Sequence, residues 1–167
     1  EFGPFAQAIA GMDIALWDLW AKQHNAPIWK MLNPEGNPSV NAYASGLGPD
    51  HPETIAVSKQ QEGYRAFKLK VGFDPAFDEK NIIALRNALG SDARIMIDAN
   101  QVWTLEAAKS RASRFERYDL YWIEEPIRCD RPLGEWRDLA GFSPIPLAAG
   151  ENLRSHKQFR QVIEGGA

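Results

Sequence analysis

One cysteine in 167 residues, Cys129, leaves no partner for an internal disulfide. That excludes the disulfide-stapled secreted scaffolds and fits a reducing compartment. No apolar run approaches the roughly 18 residues of a membrane-spanning helix. No basic-then-apolar stretch opens the chain as a secretory leader would. Excess positive charge is lacking too: 19 Lys and Arg against 22 Asp and Glu give a net charge of −3. Neither nucleic acid nor an anionic membrane is therefore an expected partner. Low-complexity sequence is also absent, and a cytoplasmic globular protein is expected.

What the chain does contain is an alternation of helical and extended segments. AQAIAGMDIALWDLWAKQ (6–23) spaces Ile9, Met12, Leu16, Leu19 and Trp20 as one apolar helical stripe. Burial of that stripe is predicted, with Trp17, Trp20 and Trp29 as core anchors. Pro27 ends or bends the helix, and NPEGNPS (33–39) has the composition of a linker. Strands are predicted over 40–45, 65–71, 93–99, 120–126 and 145–151. Helices are predicted over 51–63, 75–89, 104–118, 133–140 and 155–166, with Gly90 closing the second and Thr104 capping the third. Five strands alternating with helices imply a parallel sheet. Residues 1–37 read as a helix and linker, and 38–167 as part of a (β/α) barrel. A complete eightfold barrel takes about 250 residues, so the sequence reads as a portion of a longer polypeptide.

Four strands end in an acid or a base: FKLK at Lys70, IMID at Asp98, YWIE at Glu124 and PLAAGE at Glu151. The steps from 70 to 98 to 124 to 151 are 28, 26 and 27 residues, about one strand plus one returning helix. Barrel enzymes carry their chemistry at the C-terminal ends of the strands. Three carboxylates and two lysines on one rim describe a cation site beside a base.

Alternation along a strand puts Lys68 and Lys70 on one face and Phe67, Leu69 and Val71 on the other. The apolar set belongs under the helices, which turns the lysines into the barrel, about 6.6 Å apart at roughly 3.3 Å per residue. Two ammonium groups there require counter-charges. Asp98 and Asn100 share a face. Glu124 and Glu125 are separated, so one of them aims at the centre, and Glu151 is expected at the end of the fifth strand. Each motif alone has a plain structural reading: K-x-K is usually a solvated edge, and Glu-Glu-Pro a turn. Their joint occurrence at consecutive strand ends is what points to function.

The motifs KLK (68–70), DAN (98–100), IEEP (123–126) and GEN (150–152), in this order and spacing, resemble the enolase superfamily and its mandelate racemase-like subgroup. GMDIALWDLWAKQ (11–23) is similar to the helix that precedes the barrel in that family. Glu125, where some lactonizing and epimerase relatives have glutamine, and Gly150-Glu151-Asn152 favour the racemase-like subgroup. The resemblance implies an α/β fold, a parallel (β/α) barrel of the enolase-superfamily type with about its first five units here, and a separate capping domain. It implies Asp98, Glu124 and Glu151 as ligands of Mg2+, a hard cation suited to oxygen donors. Lys70 would be the base and Lys68 its electrostatic helper. Asn100 and Ser45 match positions that touch the substrate in relatives.

Such a site removes the proton next to a substrate carboxylate, with the cation stabilising the enolate. Lys68 and the cation disfavour the ammonium form of Lys70 relative to its reference pKa near 10.4. Departure of a β-hydroxyl would make the enzyme an acid-sugar dehydratase, a lyase, which is the leading expectation. Racemisation, epimerisation and cycloisomerisation share the same half-reaction. A catalytically silent barrel fragment is the reading from a different class. Relatives carry an Asp and a His on later strands, so His24, His51 and His156 are not expected in that role, and Cys129 reads as a loop thiol. A small carboxylate substrate is expected, with no nucleic acid or membrane partner, and a homo-oligomer when full length.

Overall fold

The computed structural model describes residues 3–166. They divide into two compact units, one ending at Asn41 and one beginning at Ala42.

In the first unit, α1 (Pro4–Gln23) opens on a proline, whose missing N–H costs no helical bond at that position. Its end is marked by His24, whose Nδ1 lies 2.8 Å from the Trp20 carbonyl. A five-residue helix, α2 (Ile28–Leu32), follows Pro27; the sequence predicts none there, because five residues carry no readable period. The predicted burial of the α1 stripe needs correction. Met12, Leu16 and Leu19 are 69%, 63% and 54% exposed, Trp20 and Trp29 are exposed, and Trp17 is half-buried. Periodicity identifies which face of a helix is apolar, but not what covers it.

The second unit is one sheet of five parallel strands in chain order: β1 (Ala44–Leu47), β2 (Ala66–Lys70), β3 (Arg94–Asp98), β4 (Leu120–Glu124) and β5 (Leu147–Ala148). Helices α3 (Pro52–Gln61), α4 (Pro75–Leu89), α5 (Leu105–Phe115), α6 (Leu133–Phe142) and α7 (His156–Gly165) alternate with them. This is the parallel (β/α) order expected from the sequence, with β1 and β5 at the edges of an open sheet. Local chemistry sets the helix starts. The Asp74 carboxylate accepts from the N–H groups of Ala76 and Phe77 to open α4. Thr104 accepts from Ala107 to open α5, and Ser155 accepts from Gln158 to open α7. Each such cap contributes about 1 kcal/mol.

The two faces of the sheet divide by chemistry. Phe67, Leu69, Ile95, Ile97 and Ile123 are buried in one core with Ile82 and Leu85 of α4, Ala112 and Phe115 of α5, and Leu139 of α6. A large apolar side chain buried this way contributes roughly 1.5–3 kcal/mol. A one-residue slip of any strand would turn that set outward, so the core enforces the register. On the opposite face the register aligns Lys68, Met96 and Trp122 in one row and Lys70, Asp98 and Glu124 in the next.

The edges depart from expectation. β1 begins at Ala44 rather than residue 40, and its pairing with β2 shifts between Ala44 and Leu47. β5 ends at Ala148, so Glu151 lies three residues past the strand rather than at its end. Gly150 adopts φ 137°, which carries the chain out of the extended conformation before Glu151 is reached.

Candidate active site

The polar row at the ends of β2, β3 and β4 forms one charge network. Lys68 Nζ donates to Glu124 Oε2 at 2.7 Å and lies 3.3 Å from Asp98 Oδ2. Lys70 Nζ donates to the same Asp98 oxygen at 2.6 Å and to Asn100 Oδ1 at 2.8 Å. The Asn100 N–H closes back on Asp98 Oδ1 at 3.0 Å. Strand pairing brings these groups together, since Lys70, Asp98 and Glu124 are partners across adjacent strands. Side-chain exposure rises from 1% at Asp98 through 7% at Lys68 and 14% at Glu124 to 34% at Lys70. Lys70 is thus the charged group of the network most open to solvent. Tyr43 flanks it, with the Lys68 ammonium 5.5 Å from its ring centre and Trp122 packed edge-on at 5.7 Å.

Burial by itself would lower the Lys68 pKa, but the Glu124 hydrogen bond and the charges of Glu124 and Asp98 outweigh it and leave the value raised. Burial would raise Asp98, and the Lys70 hydrogen bond, the Asn100 N–H and the Lys68 charge outweigh that, leaving it lowered. Lys68 and Asp98 are therefore both charged at neutral pH.

The loops leaving these strands are strained and cross-linked. Asn100, Gln101 and Glu125 hold φ values of 46°, 66° and 41°, a conformation that costs a non-glycine residue of order 1–3 kcal/mol when the surroundings impose it. Gln101 N–H donates to the Glu125 carbonyl at 2.7 Å, and Gln101 Oε1 accepts from the Cys129 N–H at 2.8 Å. After β2, a Cβ on Gly72 (φ 102°) would stand 2.4 Å from Val102 Cγ2, so the close approach of the β2 and β3 loops requires glycine. The buried Asp78 carboxylate accepts from Gly72 N–H at 3.0 Å and fixes that loop further.

Of the residues singled out from the sequence, Lys68, Lys70, Asp98, Asn100 and Glu124 are brought together. Ser45 lies exposed on β1, and its hydroxyl makes no hydrogen bond among the described residues. Glu151 is exposed in a turn closed by Leu153 N–H to the Gly150 carbonyl at 3.0 Å, apart from the network. His51 pairs with Glu53, and His156 is exposed at the start of α7. Two contacts have no counterpart in the sequence reading. One is Tyr43 beside Lys68. The other is Asn152, whose Nδ2 donates to both oxygens of Glu125 at 2.9 Å. Glu125, just past β4, is buried, so its carboxylate needs a donor, and Asn152 supplies it. A groove of about 770 Å³ between α6 and α7, lined in part by Cys129, Trp136, Leu147 and Gln158, contains none of these charged groups.

Among the described residues no three acids, histidines or cysteines are gathered at metal-binding distance. The donor chemistry nevertheless suits a hard cation. Asp98 and Glu124 supply only oxygen, from adjacent strands, and the cationic Nζ of Lys68 already sits between them. Glu151 is the next acid along the rim, carried by the turn after β5.

The chain matches the family description "Enolase C-terminal domain-like" over residues 53–167 and "Mandelate racemase / muconate lactonizing enzyme, N-terminal domain" over residues 2–33. It is 37% identical over 171 residues to L-talarate/galactarate dehydratase of Salmonella typhimurium, covering 99% of this chain and 42% of that protein. The crystal structure of that dehydratase liganded with Mg and L-lyxarohydroxamate matches with a TM-score of 0.84 at 35% identity, over 93% of this chain and 41% of that one. D-galactarolactone cycloisomerase of Agrobacterium fabrum is 35% identical over 167 residues, 96% of this chain and 44% of that protein. The crystal structure of a mandelate racemase/muconate lactonizing enzyme from Bordetella bronchiseptica RB50 matches with a TM-score of 0.91 at 47% identity, over 99% of this chain and 45% of that one. The chain thus spans less than half the length of these relatives. With the two family descriptions matched in order along the chain, the second over the open (β/α) sheet, the chain belongs to the mandelate racemase/muconate lactonizing enzyme family of the enolase superfamily.

Proposed function

We propose that the full-length protein is a Mg2+-dependent acid-sugar dehydratase. Lys70 is the base that removes the proton next to the substrate carboxylate. The observation that carries this reading is the contact of a solvent-accessible lysine with Asp98 and Asn100 beside the part-buried Lys68–Glu124 pair. Lys70 as the neutral amine takes the α-proton, and the electron pair left on carbon moves toward the carboxylate to give an enolate. That pair then expels the β-hydroxyl, which takes a proton from solvent and leaves as water, the enol product tautomerises to a 2-oxo-3-deoxy acid, and Lys70 returns its proton to solvent. Lys68, buried and charged, keeps a fixed positive charge near the developing negative charge. Asp98, Glu124 and Glu151 would hold Mg2+, which when bound supplies Lewis-acid stabilisation of the charge growing on the substrate carboxylate. Asn100, its Oδ1 engaged by Lys70, keeps its amide N–H groups for a substrate hydroxyl, and the unbonded Ser45 hydroxyl is offered in the same way. A sugar acid is the substrate class favoured by the likeness to the talarate/galactarate enzyme.

The comparable identity to a cycloisomerase supports a second reading, in which the same enolate forms and the product differs. The test is Mg2+-dependent exchange of the α-proton into D2O by the full-length protein across a panel of sugar acids, with product analysis. Exchange accompanied by a 2-oxo-3-deoxy acid is expected. Exchange with no loss of water moves the assignment to racemisation or cycloisomerisation. The absence of exchange with every acid sinks the enolate reading.

A further inference from the structure

Glu125 and Asn152 are the immediate neighbours of two residues assigned above as metal ligands, Glu124 and Glu151, and they bond each other. Asn152 Nδ2 donates to both Glu125 oxygens at 2.9 Å, although the two residues lie 27 positions apart and on different strand ends. Glu125 is only 2% exposed, and no Lys, Arg or His among the described residues stands within ion-pair distance of it. A buried carboxylate in that position depends on its hydrogen bonds. Its backbone is equally constrained: it holds φ 41° while its N–H donates to the Ala148 carbonyl at 2.9 Å and its carbonyl accepts from Gln101 at 2.7 Å. A strained conformation persists where several such bonds over-determine it.

The other partner sits where the sheet gives least support. β5 pairs with β4 only through Leu147 and Ala148. Beyond it, Glu151 and Asn152 form the middle of the turn closed by Leu153 N–H on the Gly150 carbonyl. The Glu151 side chain is exposed and takes no partner among the described residues, so strand pairing does not determine where its carboxylate stands. The Asn152 amide is what ties this turn to β4.

We propose that Glu125 and Asn152 are positioning residues that hold the Glu124 strand end and the Glu151 turn at the separation a shared Mg2+ requires. The assignment rests on the metal role proposed above for Glu124 and Glu151. Glu125 is placed as a partner of the ligands and not as a ligand, because it is 2% exposed and its carboxylate is turned onto Asn152. Partners of metal ligands that act this way change metal affinity by about 10–100-fold when removed.

The test is a calorimetric Mg2+ titration of the full-length protein without substrate, with unfolding midpoints recorded in chelator. Asn152→Ala is expected to weaken Mg2+ binding at least tenfold. Glu125→Gln, which keeps one acceptor oxygen, is expected to weaken it less. The exchange pair E125Q/N152D rebuilds the contact with donor and acceptor reversed, and is expected to return the affinity to within about threefold of wild type. Binding within threefold of wild type in both single variants overturns the proposal. So does a loss that the exchange pair fails to restore, because the effect then lies outside the hydrogen bond. Should Asn152→Ala not fold, Glu125→Gln against the exchange pair gives the same contrast. Failure of the underlying metal reading looks different: the wild-type protein takes up no Mg2+, or Glu124→Gln binds it as tightly as wild type.

Discussion

The middle of the sheet and its edges treat their functional side chains differently. β2, β3 and β4 have five residues each and a neighbour on both sides, and they bring Lys68, Lys70, Asp98 and Glu124 into hydrogen-bond contact. β1 has four residues and β5 has two, each paired on one side only; their candidates, Ser45 and Glu151, stand exposed and outside the network. A strand paired on both sides and packed on an apolar core cannot rotate its side chains without exposing that core. An edge strand is held from one side only, so loops and turns decide where its last residues go.

The largest expected effect separates the two regions directly. Lys70→Ala should reduce α-proton exchange by up to about 10⁴-fold, the upper range for a general base, whereas Ser45→Ala should cost less than tenfold. Equal losses would mean that the edge contributes to chemistry as much as the middle. Next comes stability. Phe67→Ala, in the fully buried middle, should cost about 3–5 kcal/mol, and Leu147→Ala, half-buried on β5, well under half of that in denaturant unfolding of the full-length protein. Similar values for the two would erase the distinction between middle and edge.

The smallest effect concerns the far side of α4, where charge and not strand pairing does the joining. Glu79 is bound by Arg114 Nε at 2.8 Å, Arg117 Nη2 at 2.6 Å and Tyr118 Oη at 2.6 Å. The Arg114 hydrogen bond, followed by those of Tyr118 and Arg117, holds its carboxyl down at about 2. A pKa lowered by folding adds stability above the unfolded carboxylate value, near 4.3, and that stability fades as pH falls toward the folded value. Glu79→Gln should therefore be less stable than wild type by a constant, modest amount from pH 6 to 8, with the gap closing between roughly pH 4.5 and 2. Both arginines are largely exposed, so added salt should narrow the gap as well. A gap unchanged at pH 3 would show that the hydrogen bonds, and not the charge, hold these helices together.

Much of this was legible because it follows from short-range rules. The α4 boundaries were readable from Pro75 at one end and Gly90 at the other. The inward placement of Lys68, Lys70 and Asp98 was readable because a period of two admits only two faces and one of them was apolar, whereas alternation left open whether Glu124 or Glu125 joined them. The α1 stripe was readable as a stripe and misjudged as buried, since burial needs a second surface that no local pattern specifies. The Glu125–Asn152 contact was not readable at all: neither residue has any local signature of a partner 27 positions away. The positive φ at Gln101 and Glu125 was equally hidden, because neither residue type prefers that conformation.

By itself the sequence determined the order of strands and helices, the caps, the division of each middle strand into an apolar and a charged face, and the residue types at each strand end. Those depend on neighbours within a few positions, where backbone geometry leaves few choices. Only the tertiary structure decided where β1 and β5 begin and end, which acid pairs with which lysine, and that Glu151 leaves its strand while Asn152 ties its turn to Glu125. Those outcomes depend on contacts between segments far apart in the chain, which form once the apolar core has set the register and the loops have been left to satisfy what remains.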